Sequence, residues 1–212
     1  MLDGAYPADL LADTAHITDW AFVLPGDSEL IRQPIDVLGV NYYATTMVRG
    51  AVGPDETSDN SGHRESESSP WVGADRVAFV REPGPYTSMG WNIAPEGLTT
   101  LLTDLHTRYP GLPLMVTENG AAFEDEVADD GSVPDPLRVD YLDRHLRAVA
   151  DAVALGADVR GYFAWSLLDN FEWAWGYSRR FGIIRVDYDT LERTWKDSAH
   201  WYRRLVATRS LP

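Results

Sequence analysis

The sequence predicts an α/β protein built as part of a (β/α)8 barrel, and three observations carry that expectation. Short apolar strands alternate with amphipathic helices, the order that builds parallel sheets. Each strand ends in polar or aromatic residues, as strands do when a site sits at one mouth of a barrel. Three such strands stand out, whereas a closed barrel needs eight, typically over about 250 residues. The chain is therefore expected to be an incomplete barrel, a single domain over residues 1–212 with a long exposed loop at about 50–75.

The first strand is read in Asp36 to Ala44 (DVLGVNYYA), rich in Val, Leu and Tyr and closing on Asn41-Tyr42-Tyr43. From Gly50 to Asp75 the composition turns to Gly, Ser, Asp and Glu without apolar periodicity, which predicts the loop. Arg76 to Val80 reads as a short strand before the turn at Glu82 to Pro85. Pro95 suits the first turn of a helix in which Leu98, Leu101, Leu102, Leu105 and Tyr109 recur at helical spacing, until Pro110-Gly111 ends it.

Pro113 to Thr117 (PLMVT) is a short apolar strand that delivers Glu118-Asn119-Gly120 at its C-terminal end. Asp135-Pro136 reads as the N-cap and first residue of a helix burying Leu142, Leu146, Val149 and Val153, with Gly156 just past its end. Arg160 to Trp165 is the next strand, followed by the cluster Asp169-Asn170-Phe171-Glu172-Trp173. A hairpin around Tyr188-Asp189-Thr190 and a helix from Asp197 close the chain.

Composition excludes several function classes. With 33 acidic against 18 basic residues, the formal charge is −15, which repels nucleic acid and anionic membrane surfaces. No stretch reaches the roughly 18 apolar residues of a bilayer span, and Met1-Leu2-Asp3-Gly4 starts no signal peptide. The absence of cysteine removes thiolate chemistry and disulfides, and with the untargeted start it leads to the expectation of a cytoplasmic chain. His16, His63, His106, His145 and His200 lack paired ligand spacing, so no metal and no cofactor are expected.

Alone, Glu-Asn-Gly fits a tight turn better than a site. Its company changes the weighting, because Trp165, Glu172, Trp173 and Trp175 crowd the end of the next strand. Indole faces stack on the C–H faces of sugar rings, and carboxylates accept bonds from several hydroxyls. Trp195 and Trp201 are expected to be core residues.

Five segments then carry a resemblance: VLGVNYY (37–43), MGWNIAPEGL (89–98), LMVTENG (114–120), GYFAWSLLDNFEWAWGYSRRFGIIRVDY (161–188) and WKDSAHWY (195–202). In this order and over nearly the whole chain, they resemble glycoside hydrolase family 1, the β-glucosidase family. The resemblance implies the C-terminal portion of a TIM barrel with about its last three strands. It implies Glu118 as the nucleophile of a retaining reaction, with Tyr43 positioning its carboxylate. It further implies Asn41 on the site floor, Trp165 as a wall and Trp91 beside the leaving group. Glu172 and Trp173 would bind the hydroxyls of the non-reducing sugar, and Phe181 would close the pocket.

Retention needs a second carboxyl about 5–5.5 Å away, as acid and then base. The family supplies it from an Asn-Glu-Pro motif that this sequence does not contain. Relatives acting on 6-phosphorylated sugars tend to place Ser, Lys and Tyr at Glu172, Arg179 and Phe181, and a carboxylate there repels phosphate. The expected substrate is an unphosphorylated β-glucoside or oligosaccharide, hydrolysed at its terminal non-reducing β-D-glucosyl residue. A complementing N-terminal half or a second copy is the expected protein partner. The alternative is a sugar-binding or inactive remnant of the same family.

Overall fold

The computed structural model describes residues 2–50 and 77–211, and three of the apolar runs form one parallel sheet. Strand β1 (Leu38–Asn41) pairs with β4 (Leu114–Asn119), which pairs in turn with β5 (Val159–Ala164). The described residues group into two compact units, one of residues 2–36, 48–50 and 77–79, the other of 37–47 and 80–211.

In the first unit, α1 (Ala8–Asp13) and α2 (Asp27–Ile31) are too short to hold by propensity and bury no residue. The segment between them is tied locally: the Trp20 indole donates to the Thr14 hydroxyl at 3.0 Å, with the Tyr6 and Phe22 rings 4.8 and 5.4 Å from its own. Strands β2 (Met47–Gly50) and β3 (Val77–Val80) form a two-stranded sheet. β3 is the strand expected at 76–80, whereas β2 was not foreseen. Apart from Gly50, the expected loop lies outside the described residues.

In the second unit each passage between parallel strands runs through a helix, as parallel pairing requires. Helix α3 (Pro95–Arg108) lies between β1 and β4, α4 (Pro136–Ala154) between β4 and β5, and α5 (Asp197–Thr208) follows. Leu98 and Leu102 of α3, Leu114 and Val116 of β4, and Ala148 and Ala152 of α4 make the core against Val40 and Tyr42. Among the described residues the sheet has three strands and does not close, so β1 and β5 are its edges.

The buried face of α4 is the expected one in part, with Leu146 and Val149 packed half-buried against the core. Leu142 is buried, but Val153 is exposed, and Arg138, Tyr141, His145, Ala148 and Ala152 face inward with Leu142. The two alanines admit a close approach to α3, where the Thr99 hydroxyl donates to the Ala148 carbonyl at 3.0 Å. The end of α4 is as expected. Gly156 adopts φ +104°, and the N–H groups of Gly156 and Ala157 donate to Val153 and Ala152, the bond pair of a Schellman motif.

Asp135 stands at the N-cap of α4 with Pro136 as the helix's first residue, as expected. Its side chain does not cap α4 but accepts the backbone N–H and hydroxyl of Ser198 at 2.7 and 2.6 Å, joining α4 to the start of α5. The hairpin is β6 (Ile184–Val186) with antiparallel β7 (Arg193–Trp195), its turn held by Asp187, which accepts the N–H groups of Asp189 and Thr190. Trp201 is buried as expected. Trp195 is not: it is 43% exposed and lies 5.3 Å from the His200 ring, because the two-stranded hairpin leaves one of its faces to solvent.

Three carboxylates and three cations are gathered behind the loops that follow β4 and β5. Arg138 donates in bidentate fashion to Asp125 at 2.8 and 3.0 Å, and also to Asp135 and the Arg180 carbonyl. Lys196, fully buried, donates to Asp125 at 2.6 Å and to Asp169 at 2.9 Å, and Asp169 also accepts from Arg180. Burial works against the Arg138 charge, but its bonds to Asp125 and the charges of Asp125 and Asp135 prevail and hold the guanidinium above its usual range. For Lys196, burial and then the Arg138 charge prevail and lower its pKa despite two carboxylate partners.

Replacement of Lys196 by Met would leave Asp125 and Asp169 buried without that counter-charge. The expected loss is about 3–5 kcal/mol of stability, read as a lower urea midpoint; an unchanged midpoint would show that the network relaxes around the vacancy. A second test concerns His145, buried with Nδ1 at 2.7 Å from the Tyr141 carbonyl and Nε2 without a hydrogen-bond partner among the described residues. Burial depresses its pKa from 6.5 to about 4, with smaller effects from the Tyr141 carbonyl, Arg144 and Asp140. The unfolded chain therefore takes up this proton first as pH falls, so the contribution is whole above pH 6.5 and lost on the way to about 4. It amounts to roughly 3 kcal/mol, and unfolding measured between these pH values should lose that slope in His145→Phe.

Candidate active site

Glu118 stands second from the end of β4, half-buried, and its Oε2 accepts a 2.6 Å hydrogen bond from the Tyr43 hydroxyl two residues past β1. Burial is the first cause that pushes the Tyr43 phenol far above its ordinary value, followed by the bond to Glu118 and the charges of Glu118 and Glu172. The phenol thus stays protonated at any ordinary pH and acts as a donor to the carboxylate.

Aromatic side chains surround this pair. The Tyr43 ring lies 5.2 Å from that of Trp91 and meets Phe181 edge-on at 6.2 Å, while Trp91 and Phe181 are 6.1 Å apart. Trp165 and Trp175 pack on the same cluster around Met89, Ala122 and Phe181. Trp91 is delivered by a clamp: Asn92 donates to the Glu82 carboxylate at 2.7 Å and to the Thr45 hydroxyl at 2.6 Å. Phe181 is fixed through its neighbours, since the Arg180 carbonyl accepts from Arg138 and the Gly182 N–H donates to Asp169.

Glu172 is buried, its Oε2 accepting from the Asn170 amide at 3.0 Å and its N–H donating to the Gly176 carbonyl at 2.7 Å. Its charge reaches Tyr43, which places a second carboxylate in the electrostatic field of the site. Glu118, Tyr43, Trp91, Trp165, Phe181 and Glu172 are thus brought into one neighbourhood. Asn41 instead accepts from the Thr117 hydroxyl at 2.7 Å at the exposed end of β1. Trp173 stands 84% exposed in the 3₁₀ turn Trp173–Trp175. Among the described residues no group of three or more His, Asp and Glu side chains is set to hold a metal ion.

The tight-turn reading of Asn119-Gly120 does not hold. Asn119 is a strand residue, fully buried, and Gly120 lies where a Cβ would come within 1.6 Å of the Trp165 carbonyl oxygen. Glycine is needed there because the backbones of the β4 and β5 ends touch, the Trp165 N–H donating to the Asn119 carbonyl at 2.9 Å. Sequence reasoning also missed Asp169, Lys196, Arg138 and Tyr141. For Arg138 and Tyr141 the one available signal is their place on the face that the helical period makes internal, Arg138 one turn before Leu142; Asp169 and Lys196 lie outside helices and carry no such signal.

Comparison with known proteins gives one consistent result. The family model for glycosyl hydrolase family 1 matches residues 1–211. A bifunctional β-D-glucosidase/β-D-fucosidase of Bifidobacterium breve is 53% identical over 99% of this chain and 45% of its own length. A psychrophilic β-glucosidase structure from Micrococcus antarcticus superposes with a TM-score of 0.90 at 48% identity, over 98% of this chain and 45% of that one. A β-glucosidase from Thermotoga maritima, solved with glucoimidazole, gives 0.83 at 38% identity over 99% and 42%. The chain spans less than half the length of these relatives, and its three-stranded sheet is an incomplete (β/α)8 barrel, as expected. It belongs to glycosyl hydrolase family 1.

Proposed function

We propose that this chain carries the nucleophile side of a retaining β-glucosidase site, acting on terminal non-reducing β-D-glucosyl residues. The observation that carries the reading is the 2.6 Å bond from Tyr43 to Oε2 of Glu118, at a strand's C-terminal end among aromatic side chains. With Oε2 held, Oε1 is left to attack the anomeric carbon, the bond to the aglycone oxygen breaks, and water later releases the sugar with net retention. Trp165 offers a face to the ring, the buried Phe181 closes the pocket behind it, and the Glu172 carboxylate accepts its hydroxyls in bonds that strengthen as oxocarbenium character develops. Trp91 flanks the aglycone, Asn41 lines the floor, and Trp173 binds outer hydroxyls of the glycone.

The name of the Bifidobacterium relative supports a β-glucoside or β-fucoside, and the glucoimidazole complex of the Thermotoga relative supports a glycone pocket. A buried carboxylate at Glu172 disfavours a 6-phosphorylated sugar. In this reading the acid/base carboxyl lies outside the 212 residues, which contain no Asn-Glu-Pro, and comes from a complementing N-terminal half of the barrel. The second reading, sugar binding without turnover, is favoured by the two open strand edges among the described residues and by the exposed Trp173.

A leaving group of low pKa departs without an acid, so the nucleophile can be tested alone. Incubated with 2,4-dinitrophenyl 2-deoxy-2-fluoro-β-D-glucoside, the chain should gain one fluoroglucosyl unit by intact mass, mapped to the peptide holding Glu118. Glu118→Gln should gain none. A wild-type chain that releases no dinitrophenolate and stays unlabelled would refute the nucleophile reading and favour the binding-only one.

A further inference from the structure

The residue that follows the proposed nucleophile does not face the sugar site, yet every polar atom of its side chain is committed. Asn119 is fully buried, and its Nδ2 gives one proton to the Tyr42 carbonyl at 2.7 Å and the other to the Tyr141 hydroxyl at 3.0 Å. Its Oδ1 accepts the Tyr162 hydroxyl at 2.6 Å. The Tyr141 hydroxyl, having accepted from Asn119, spends its own proton on the Tyr43 carbonyl at 3.2 Å. The carbonyls of Tyr42 and Tyr43 are those on either side of the Tyr43 Cα, so side chains from β4 and α4 hold both peptide groups that flank one residue. The Tyr42 N–H in turn donates to the Glu118 carbonyl at 2.9 Å, which ties the same backbone to the strand position of the carboxylate.

Satisfying a buried amide is a sufficient reason for any one of these bonds. It does not explain where they end. The two bonds end on the Tyr42 and Tyr43 carbonyls, on either side of the residue whose hydroxyl holds Glu118; past the end of β1 at Asn41 the Tyr42 N–H bond to the Glu118 carbonyl ties one side of Tyr42, and the carbonyls are left to Asn119 and Tyr141. We infer that Asn119 and Tyr141, with Tyr162 behind them, are positioning residues that aim the Tyr43 hydroxyl at Oε2 of Glu118. The catalytic consequence rests on the reading of Glu118 as the nucleophile; the geometric one does not. The Tyr141 ring is itself held by stacking on His145 at 3.9 Å, so the device extends into α4.

Two readouts on the 212-residue chain test this separately. The first is the slowly exchanging downfield proton of the Tyr43 hydroxyl in NMR spectra, assigned by its loss in Tyr43→Phe and Glu118→Gln. The second is the rate of fluoroglucosyl labelling of Glu118. Tyr141→Phe removes one hydroxyl and no ring; it should abolish or broaden the Tyr43 signal and slow labelling about tenfold, the worth of roughly one hydrogen bond. Leu102→Ala loosens the core from α3 without touching these hydroxyls and should leave the signal in place, which a merely structural role of Tyr141 would not distinguish. Should Tyr141→Phe fail to fold, Tyr162→Phe, which removes the donor to Asn119, is held to the same two readouts. An unchanged Tyr43 signal in the folded variant, or no such signal in the wild type, overturns the inference. A wild-type chain that is not labelled but whose signal responds to Tyr141→Phe upholds the positioning and refutes the nucleophile.

Discussion

Asp169 accepts Lys196 and Arg180 while its oxygens also take the backbone N–H groups of Gly182 and Val186, and the rest of the site's scaffold depends on this one carboxylate being held. It lies in the loop that carries Glu172 and Phe181. Lys196 links it to Asp125 in the loop after β4, and Arg138 links Asp125 to Asp135 and to the Arg180 carbonyl. Two long loops are thereby fixed to α4 and to the start of α5. Three negative charges meet three positive ones, so the patch can be buried without a net charge left in low dielectric.

Such a network is a weak source of net stability, because desolvating six ionic groups offsets most of their attraction. Its effect is on geometry. An apolar replacement of the same volume could bury as well, but would leave the Gly182 and Val186 N–H groups and the Arg180 carbonyl without partners. Phe181 lies between two of those groups, and its ring meets both Tyr43 and Trp91. Support for the aromatic wall thus comes from charges that never touch a ligand, the arrangement expected where a site must be kept rigid on loops.

What the sequence made legible follows from the range of the interactions involved. The Pro95 and Pro136 helix starts and the Gly156 terminus are set by residues a few positions apart and are found at their expected places, and the three sheet strands end within three residues of theirs. The pairing of Tyr43 with Glu118 was implied by resemblance and could not be read from spacing, since 75 residues separate them. Asp135 is the N-cap residue, but its side chain is taken by Ser198, 63 residues away, which no local pattern could announce. Asn119 and Gly120 looked like a turn for the same reason: the contact that demands them is with Trp165 and Tyr162 on the next strand. Trp195 failed in the other direction, as hydrophobicity alone says nothing about whether a hairpin has a second face to cover.

The incomplete barrel divides the chemistry along the same line. The bonds that shape the Glu118 carboxylate come from its own strand, from the segment just past β1 and from α4 behind them, so nearest neighbours in the sheet suffice to build them. A second carboxyl across the anomeric carbon has no such local origin, because residues facing one another over a barrel mouth come from strands distant in the sheet. Among the described residues, apolar side chains such as Phe163 and Leu167 are exposed and two sheet edges are unpaired, yet the hydrogen bonds around Tyr43 are whole. The orientation of the Glu118 carboxylate by Tyr43 is therefore a property of three adjacent strands and the helix behind them, whereas any group facing it across a barrel mouth is a property of the closed barrel.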